Sequence, residues 1–287
     1  MPHDHSHDPD DVATLAEVLD LDGQVLRSYW SDVMTRVHQA TRDGAVRRIL
    51  DLGAGTGVGT VALAERFTEA EVVAADASAE LLERLAAKAR ERGLADRVRT
   101  VQMDLDVDWP TEAAVDLTWA SMSLHHFADP DRVLARVHAS TRPGGVLAVA
   151  EMDDELRFLP DELGFGQPGL EARCLDALRD EHAHSLPNLG ADWSPRIAAA
   201  GFTVLEELAV AIDVRPPMPP DAARYAHRWL SRLAEGVADR LSHEDQQALT
   251  AVLDGPESVL HRDDLHIRGV RTVTLARRSA GSAETDT

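Results

Sequence analysis

Ile49–Thr60 reads ILDLGAGTGVGT, a short apolar run that meets Asp51 and then carries glycine at every second position from Gly53 to Gly59. An apolar run of this length bounded by glycine reads as a buried strand. Gly53, Gly55 and Gly57 then permit a turn with positive φ and no side chains on its concave side. Two demands call for such a turn. One is tight packing of the strand on the following helix. The other is close approach of a large ligand to the backbone, at the helix's amino end and outside the strand's carboxyl end.

Outward from this stretch, strand and helix patterns alternate. Strands are expected at Arg48–Leu52, Glu71–Ala75, Val98–Met103, Val115–Ala120 and Val146–Glu151, and helices at Val58–Phe67, Ala79–Arg92 and Pro130–Thr141. The last of these helices is stopped by Arg142-Pro143-Gly144-Gly145. Repeated strand, helix, strand at this spacing requires right-handed crossovers and a parallel sheet covered on both faces, a doubly wound α/β domain.

The flanks are more helical. Residues 12–46 carry apolar positions three and four apart, with a break at Asp22-Gly23 that suggests two helices in an N-terminal cap. The core spans 47–153. Residues 154–190, rich in glycine and proline around a helix at Leu170–His182, read as a lid insertion. In 191–278 the core resumes with a helix at Asp192–Ala200 and strands at Phe202–Ile212 and Ile267–Arg277. A helical insertion at 215–262 separates those strands, with helices at Ala222–Leu241 and Glu244–Leu253. Residues 1–11 and 279–287 read as disordered tails. His3, His5 and His7 in the first tail offer metal-binding groups, but nothing nearby completes a coordination sphere.

Charge narrows the partners. The 287 residues hold 29 Lys and Arg against 50 Asp and Glu, a formal net charge of -21. Such a surface repels nucleic acid and anionic lipid. The single cysteine, Cys174, excludes an intramolecular disulfide framework and any multi-cysteine metal site. With neither a secretory signal nor an apolar run long enough to span a bilayer, a soluble cytoplasmic protein is expected, with no membrane partner. A homodimer is compatible with the sequence.

The ligand at the turn can be narrowed by elimination. Counting from Gly53 or Gly55, the dinucleotide fingerprint G-x-G-x-x-G fails at Val58 or Thr60, and the phosphate loop fails because no lysine neighbours the turn in sequence. Asp51 would repel phosphate but attract an ammonium group. Asp76, 19 residues after Gly57 at the end of the second strand, is placed to accept the ribose hydroxyls of an adenosine. Asp104 and Leu105 follow the third strand and offer a carboxylate for the adenine amine and an apolar edge for its ring. S-adenosylmethionine fits the description of an adenosine with a cationic appendage and no phosphate.

These segments resemble the class I S-adenosylmethionine-dependent methyltransferases of small molecules. DLGAGTG is similar to their glycine motif, AADAS to their ribose acid, QMDL to their adenine segment, and the stretch from VDLTWASMSLHHF to GGVLAVAE to their fourth and fifth strands. The resemblance runs from about Arg47 to Glu151. It implies a Rossmann-like seven-stranded sheet, mostly parallel with an antiparallel last strand, with helical additions forming a lid. It also implies that Gly53, Ala54, Gly55 and Gly57 line the methionine part with Asp51 near its amine. Asp76 and Ala77 would bind ribose, Asp104 and Leu105 adenine, and Ser121 the sulfonium side. Tyr29 and Trp30 either close over the cofactor or are core aromatics.

His125 and His126 follow the fourth strand, where an acceptor should enter. Either could take a proton from an oxygen or nitrogen nucleophile, and either could instead orient substrate or cap a helix. Asp129, before Pro130, reads as a helix N-cap. Glu151, Asp153 and Asp154 do not complete a magnesium site, so no metal is expected. The reading is methyl transfer to an oxygen or nitrogen of a small organic molecule. A nonmethylating user of the cofactor, such as a cyclase or decarboxylase, and a noncatalytic cofactor-binding protein stay open beside it.

Overall fold

The structure is a computed structural model that describes residues 9–110 and 114–279. The chain divides into two compact units. Among the described residues, one groups 29–153, 190–210 and 271–279, and the other 9–28, 154–189 and 211–270.

The fold is built on a seven-stranded sheet. Its strands are β1 (Arg48–Leu52), β2 (Glu71–Asp76), β3 (Val98–Gln102), β4 (Val115–Ser121), β5 (Thr141–Met152), β6 (Phe202–Val214) and β7 (Ile267–Arg278). Their order is β3-β2-β1-β4-β5-β7-β6. β1 pairs in parallel with β2 and β4, β2 with β3, and β4 with β5, while β7 runs antiparallel to β5. Strand order reverses between β1 and β4, the switch point at which α/β sheets bind ligands, outside the strands' carboxyl ends. Leu50, Leu52, Leu117 and Leu147 fill the middle of the sheet and are buried, as the apolar runs require of strands covered on both faces.

Local signals set the flanking helices of the first unit. In α4 (Ala79–Glu91) the Ser78 hydroxyl caps by accepting from Leu81 N, and Gly93, with φ +69°, terminates it. In α5 (Pro130–Ser140) Asp129 caps by accepting from Arg132 N, with Pro130 in the first turn. The remaining helices here are α2 (Arg27–Ala40), α3 (Val58–Arg66) and α7 (Trp193–Ala199).

Two boundaries differ from the sequence reading. The first helix, α1 (Pro9–Val25), runs through Asp22-Gly23 and breaks only at Leu26. Asp22 is buried and accepts the Tyr225 hydroxyl at 2.8 Å, so its carboxylate is satisfied within the helix and does not end it. β5 begins at Thr141, because Arg142-Pro143-Gly144-Gly145 forms a bulge. Val115 pairs with Thr141 and Leu117 already pairs with Val146, with Gly144 at φ +77°.

The second unit gathers α1, α6 (Leu170–Ser185), α8 (Ala222–Val237) and α9 (His243–Leu253). Phe158 meets Tyr225 edge-on with ring centroids 5.1 Å apart. Glu171 is buried and accepts Phe158 N and Leu159 N at 2.7 and 3.1 Å. Burial pushes its carboxyl up to about 7 against the lowering pull of those two donors. Cys174 is buried in α6, which raises its thiol to about 12 and leaves it a packing residue. Among the described residues no helix is long and apolar enough to cross a membrane. His3, His5 and His7 lie outside the described residues.

Candidate active site

The glycine turn joins β1 to α3, with Gly53, Gly55 and Gly57 at φ +66°, +53° and +81°. The packing demand anticipated for it operates. A Cβ on Gly53 would sit 2.5 Å from Ser123 Cβ, and one on Gly57 would sit 2.3 Å from Leu85 Cγ, so tight packing alone requires glycine at both. Gly53 N and Ala54 N donate to Ala75 O at 2.9 and 3.1 Å, which moors the turn to β2. Gly55 N donates to Asp76 Oδ2 at 2.8 Å, and Ser78 N to Asp76 Oδ1 at 2.9 Å. Asp76 thereby shapes the turn, and each carboxylate oxygen keeps a lone pair for a further donor. Ala77 holds its carbonyl on Gln102 Nε2 at 3.1 Å.

Asp51 is only 2% exposed and takes the Thr60 hydroxyl from α3. Burial drives its carboxyl up to about 7, the charge of Asp76 adding to the shift and the Thr60 hydrogen bond opposing it. Thr56, between two of the glycines, is 1% exposed, and its hydroxyl has no hydrogen-bond partner among the described residues. A buried hydroxyl left so in a glycine cradle fits a site that completes itself on a ligand. The sequence reading passed over Thr56 because only the glycines were weighed.

At the end of β3, Asp104 is exposed, and its Oδ1 accepts Asp106 N at 2.9 Å in a local turn. Leu105 is buried in the core cluster beneath it. Beyond Ser121, which ends β4, Met122 takes φ +52°, unusual for a side chain of its size. Ser123 then donates its hydroxyl to Leu52 O at 2.8 Å, tying the end of β4 to the end of β1.

His125 and His126 occupy a short 3-10 turn, Leu124–His126, but in unlike settings. His126 is exposed, with its ring 4.1 Å from that of His125. His125 is 4% exposed, and its Nδ1 lies 2.5 Å from Glu151 Oε2. Glu151, itself 2% exposed, accepts Ser123 N and Leu124 N on Oε1 at 2.9 and 2.7 Å. One carboxylate therefore shapes the turn and holds the imidazole. Sequence reasoning weighed Glu151 only as a metal ligand. The parallel register, Ser121 beside Ala150, is the signal that brings the ends of β4 and β5 together.

Tyr29 is buried, with the Arg271 guanidinium over its ring at 4.9 Å and Trp30 edge-on at 5.7 Å. Trp30 is half-buried and lies 6.3 Å from Trp119. Trp119 pairs with Asp51 across β4 and β1.

Comparison with known proteins finds a methyltransferase domain in this chain. Residues 49–145 match the family described as "Methyltransferase domain". The trans-aconitate 2-methyltransferase of Acidovorax sp. (strain JS42) is 34% identical over 172 residues, which are 59% of this chain and 60% of that protein. The chain thus matches about 60% of the length of such curated relatives. Among solved structures, phosphoethanolamine N-methyltransferase 2 of Haemonchus contortus, bound to phosphomonomethylethanolamine and S-adenosylhomocysteine, superposes with TM-score 0.51. It is 16% identical and covers 87% of this chain and 53% of its own. The cyclase SpnF superposes at TM-score 0.50 with 22% identity, covering 87% of this chain and 81% of its own. Both likenesses are of fold.

Proposed function

We propose, from the match of residues 49–145 to a methyltransferase domain, that the chain is a class I S-adenosylmethionine-dependent methyltransferase and methylates an oxygen of a small organic acid. The observation that carries cofactor use is the glycine turn closed on Asp76, with the Thr56 hydroxyl buried beside it. Asp76 would take the ribose hydroxyls on its remaining lone pairs, Asp51 the ammonium, Leu105 the adenine edge, and the backbone at Ser121 the sulfonium side. When bound, the cofactor supplies a methyl group already activated by its sulfonium. The protein's task is to line up nucleophile, methyl carbon and sulfur in a site shielded from water.

His125 is assigned to the acceptor in preference to His126. A buried imidazole held by a buried carboxylate is oriented before substrate arrives, and its Nδ1 is engaged, so Nε2 is the nitrogen left to face an acceptor. Toward a hydroxyl acceptor Nε2 would take the proton. Toward a carboxylate, already anionic, a protonated Nε2 would donate a hydrogen bond and fix the oxygen in line. The organic-acid acceptor is suggested by the name of the relatives, trans-aconitate 2-methyltransferase.

The test is incubation with S-adenosylmethionine and a panel of trans-aconitate, other di- and tricarboxylates, hydroxy acids and amines, read by mass spectrometry. Methyl esters accompanied by S-adenosylhomocysteine are expected. Products on nitrogen only would overturn the oxygen assignment. Binding without turnover across the panel would leave a noncatalytic cofactor-binding protein.

A further inference from the structure

The sequence contains a single lysine, Lys88, and places it far from the glycine turn. The fold brings the two together. Lys88 lies in the last turn of α4, where its charge also suits the helix's carboxyl end. Its Nζ reaches back to donate to Thr56 O at 2.8 Å. Leu85 stands one turn earlier on the same helix face and is the side chain that a Cβ on Gly57 would strike. Leu82 and Leu85 also cluster with Ala54 and Ala74. One face of α4 is thus the backing of the turn, with Lys88 holding the peptide between Thr56 and Gly57. Gly57 N donates the other way, to Ala54 O at 2.9 Å, so that peptide is fixed from both ends.

We propose that Lys88 is a positioning residue for the cofactor turn and that its amine is a modification site, where acylation slackens the turn and weakens cofactor binding. The inference rests on the turn's holding S-adenosylmethionine. The acyl donor is a thioester or active ester. An amide bond forms from Nζ to the acyl carbon as the carbon–sulfur or carbon–oxygen bond breaks. The ammonium sheds two protons, one to solvent and one to the departing thiol or hydroxy compound. The product lacks the charge that strengthens the bond to Thr56 O.

The experiment is calorimetric titration of S-adenosylmethionine and S-adenosylhomocysteine into the full chain, with thermal unfolding in parallel. Lys88→Met and Lys88→Gln are expected to raise both Kd values alike, by about tenfold. Lys88→Arg should restore most of the affinity. Wild-type protein acetylated with N-acetoxysuccinimide should behave as Lys88→Gln, while Lys88→Arg treated the same way keeps its affinity. Unchanged Kd in Lys88→Met overturns the positioning role, as does a loss that follows a lowered Tm and is not restored by arginine. Acetylated wild type that binds as before, or a Lys88 that resists the reagent, overturns the modification site. Failure of untreated wild type to bind either compound would instead refute the cofactor assignment on which the inference stands.

Discussion

Removing the Asp76 carboxylate tests the cofactor pose most directly, and the structure shows why the simple version of that experiment misleads. Asp76 accepts Gly55 N and Ser78 N, and in the proposed pose it also takes the ribose hydroxyls. Asp76→Ala therefore loosens the turn and removes the ribose contact together. A hydrogen bond to a charged group contributes about 1.5–3 kcal/mol, so the two ribose bonds account for up to roughly 3–6 kcal/mol, with the effect on the turn added. A cycle separates them. Titration of S-adenosylhomocysteine and its 2′-deoxy analogue into wild type should show the analogue weaker by one such bond, roughly 10- to 150-fold in Kd. In Asp76→Ala both ligands should bind weakly and within about twofold of each other, the coupling energy having vanished with the carboxylate. An equal penalty for the missing hydroxyl in both proteins would refute the ribose assignment and leave Asp76 as a structural acceptor for the turn.

Other perturbations reach different parts of the site and fold. With the Asp51 carboxyl near 7 in the free protein, an ammonium partner must first displace its proton. Cofactor affinity should climb up to about tenfold per unit from pH 5 toward 7 and level off above, and Asp51→Asn should abolish that limb in calorimetry. Glu151→Gln puts an amide donor against His125 Nδ1 and forces the other tautomer. The kcat on a hydroxyl acceptor should fall by about 10²–10⁴ with cofactor Kd unchanged, and an unaltered kcat would dismiss His125 as base. Gly57→Ala adds a clash with Leu85 to its left-handed backbone, whereas Gly93→Ala, at φ +69° with nothing within 4 Å, carries only the backbone cost. Urea midpoints should show Gly93→Ala losing about 1–2 kcal/mol and Gly57→Ala a further 1–3. Glu171 has its folded carboxyl raised to about 7 from 4.5. Its contribution to stability is thus present below 4.5 and lost as pH rises through 7. Wild-type unfolding free energy should decline over that window and Glu171→Gln should flatten the decline, a matching slope in both proteins contradicting the buried assignment.

Much of the sheet unit was legible in the sequence because the signals that define it are local. Apolar runs and the Asp129 cap before its helix act within a turn of the chain and survive into the structure. The misread boundaries share one cause, in that a distant residue settles what a local signal leaves open. Tyr225 satisfies Asp22 from some 200 residues away and lets α1 continue past a glycine. β4 pairs with Thr141 and then with Val146, absorbing Pro143-Gly144-Gly145 as a bulge where proline and glycine read as a stop.

The site divides along the same physical line. Gly53, Gly55, Gly57 and Asp76 lie on one strand-turn-strand frame whose geometry follows from the alternation itself, so the sequence could place them against one another. His125 and His126 were indistinguishable as letters, because what separates them is Glu151, 26 residues later on the neighbouring strand. Parallel pairing places the ends of β4 and β5 side by side, and any acid one residue past that register can reach a turn that follows β4. Two buried backbone N–H groups need an acceptor there, and a carboxylate that meets them with one oxygen holds the other in a fixed direction. The imidazole on that second oxygen is thus oriented by a hydrogen-bonding requirement of the backbone. Glu151→Ala, which leaves both backbone donors without their acceptor, should therefore disturb the 3-10 turn and the His125 ring together, whereas replacing His125 should leave the turn in place.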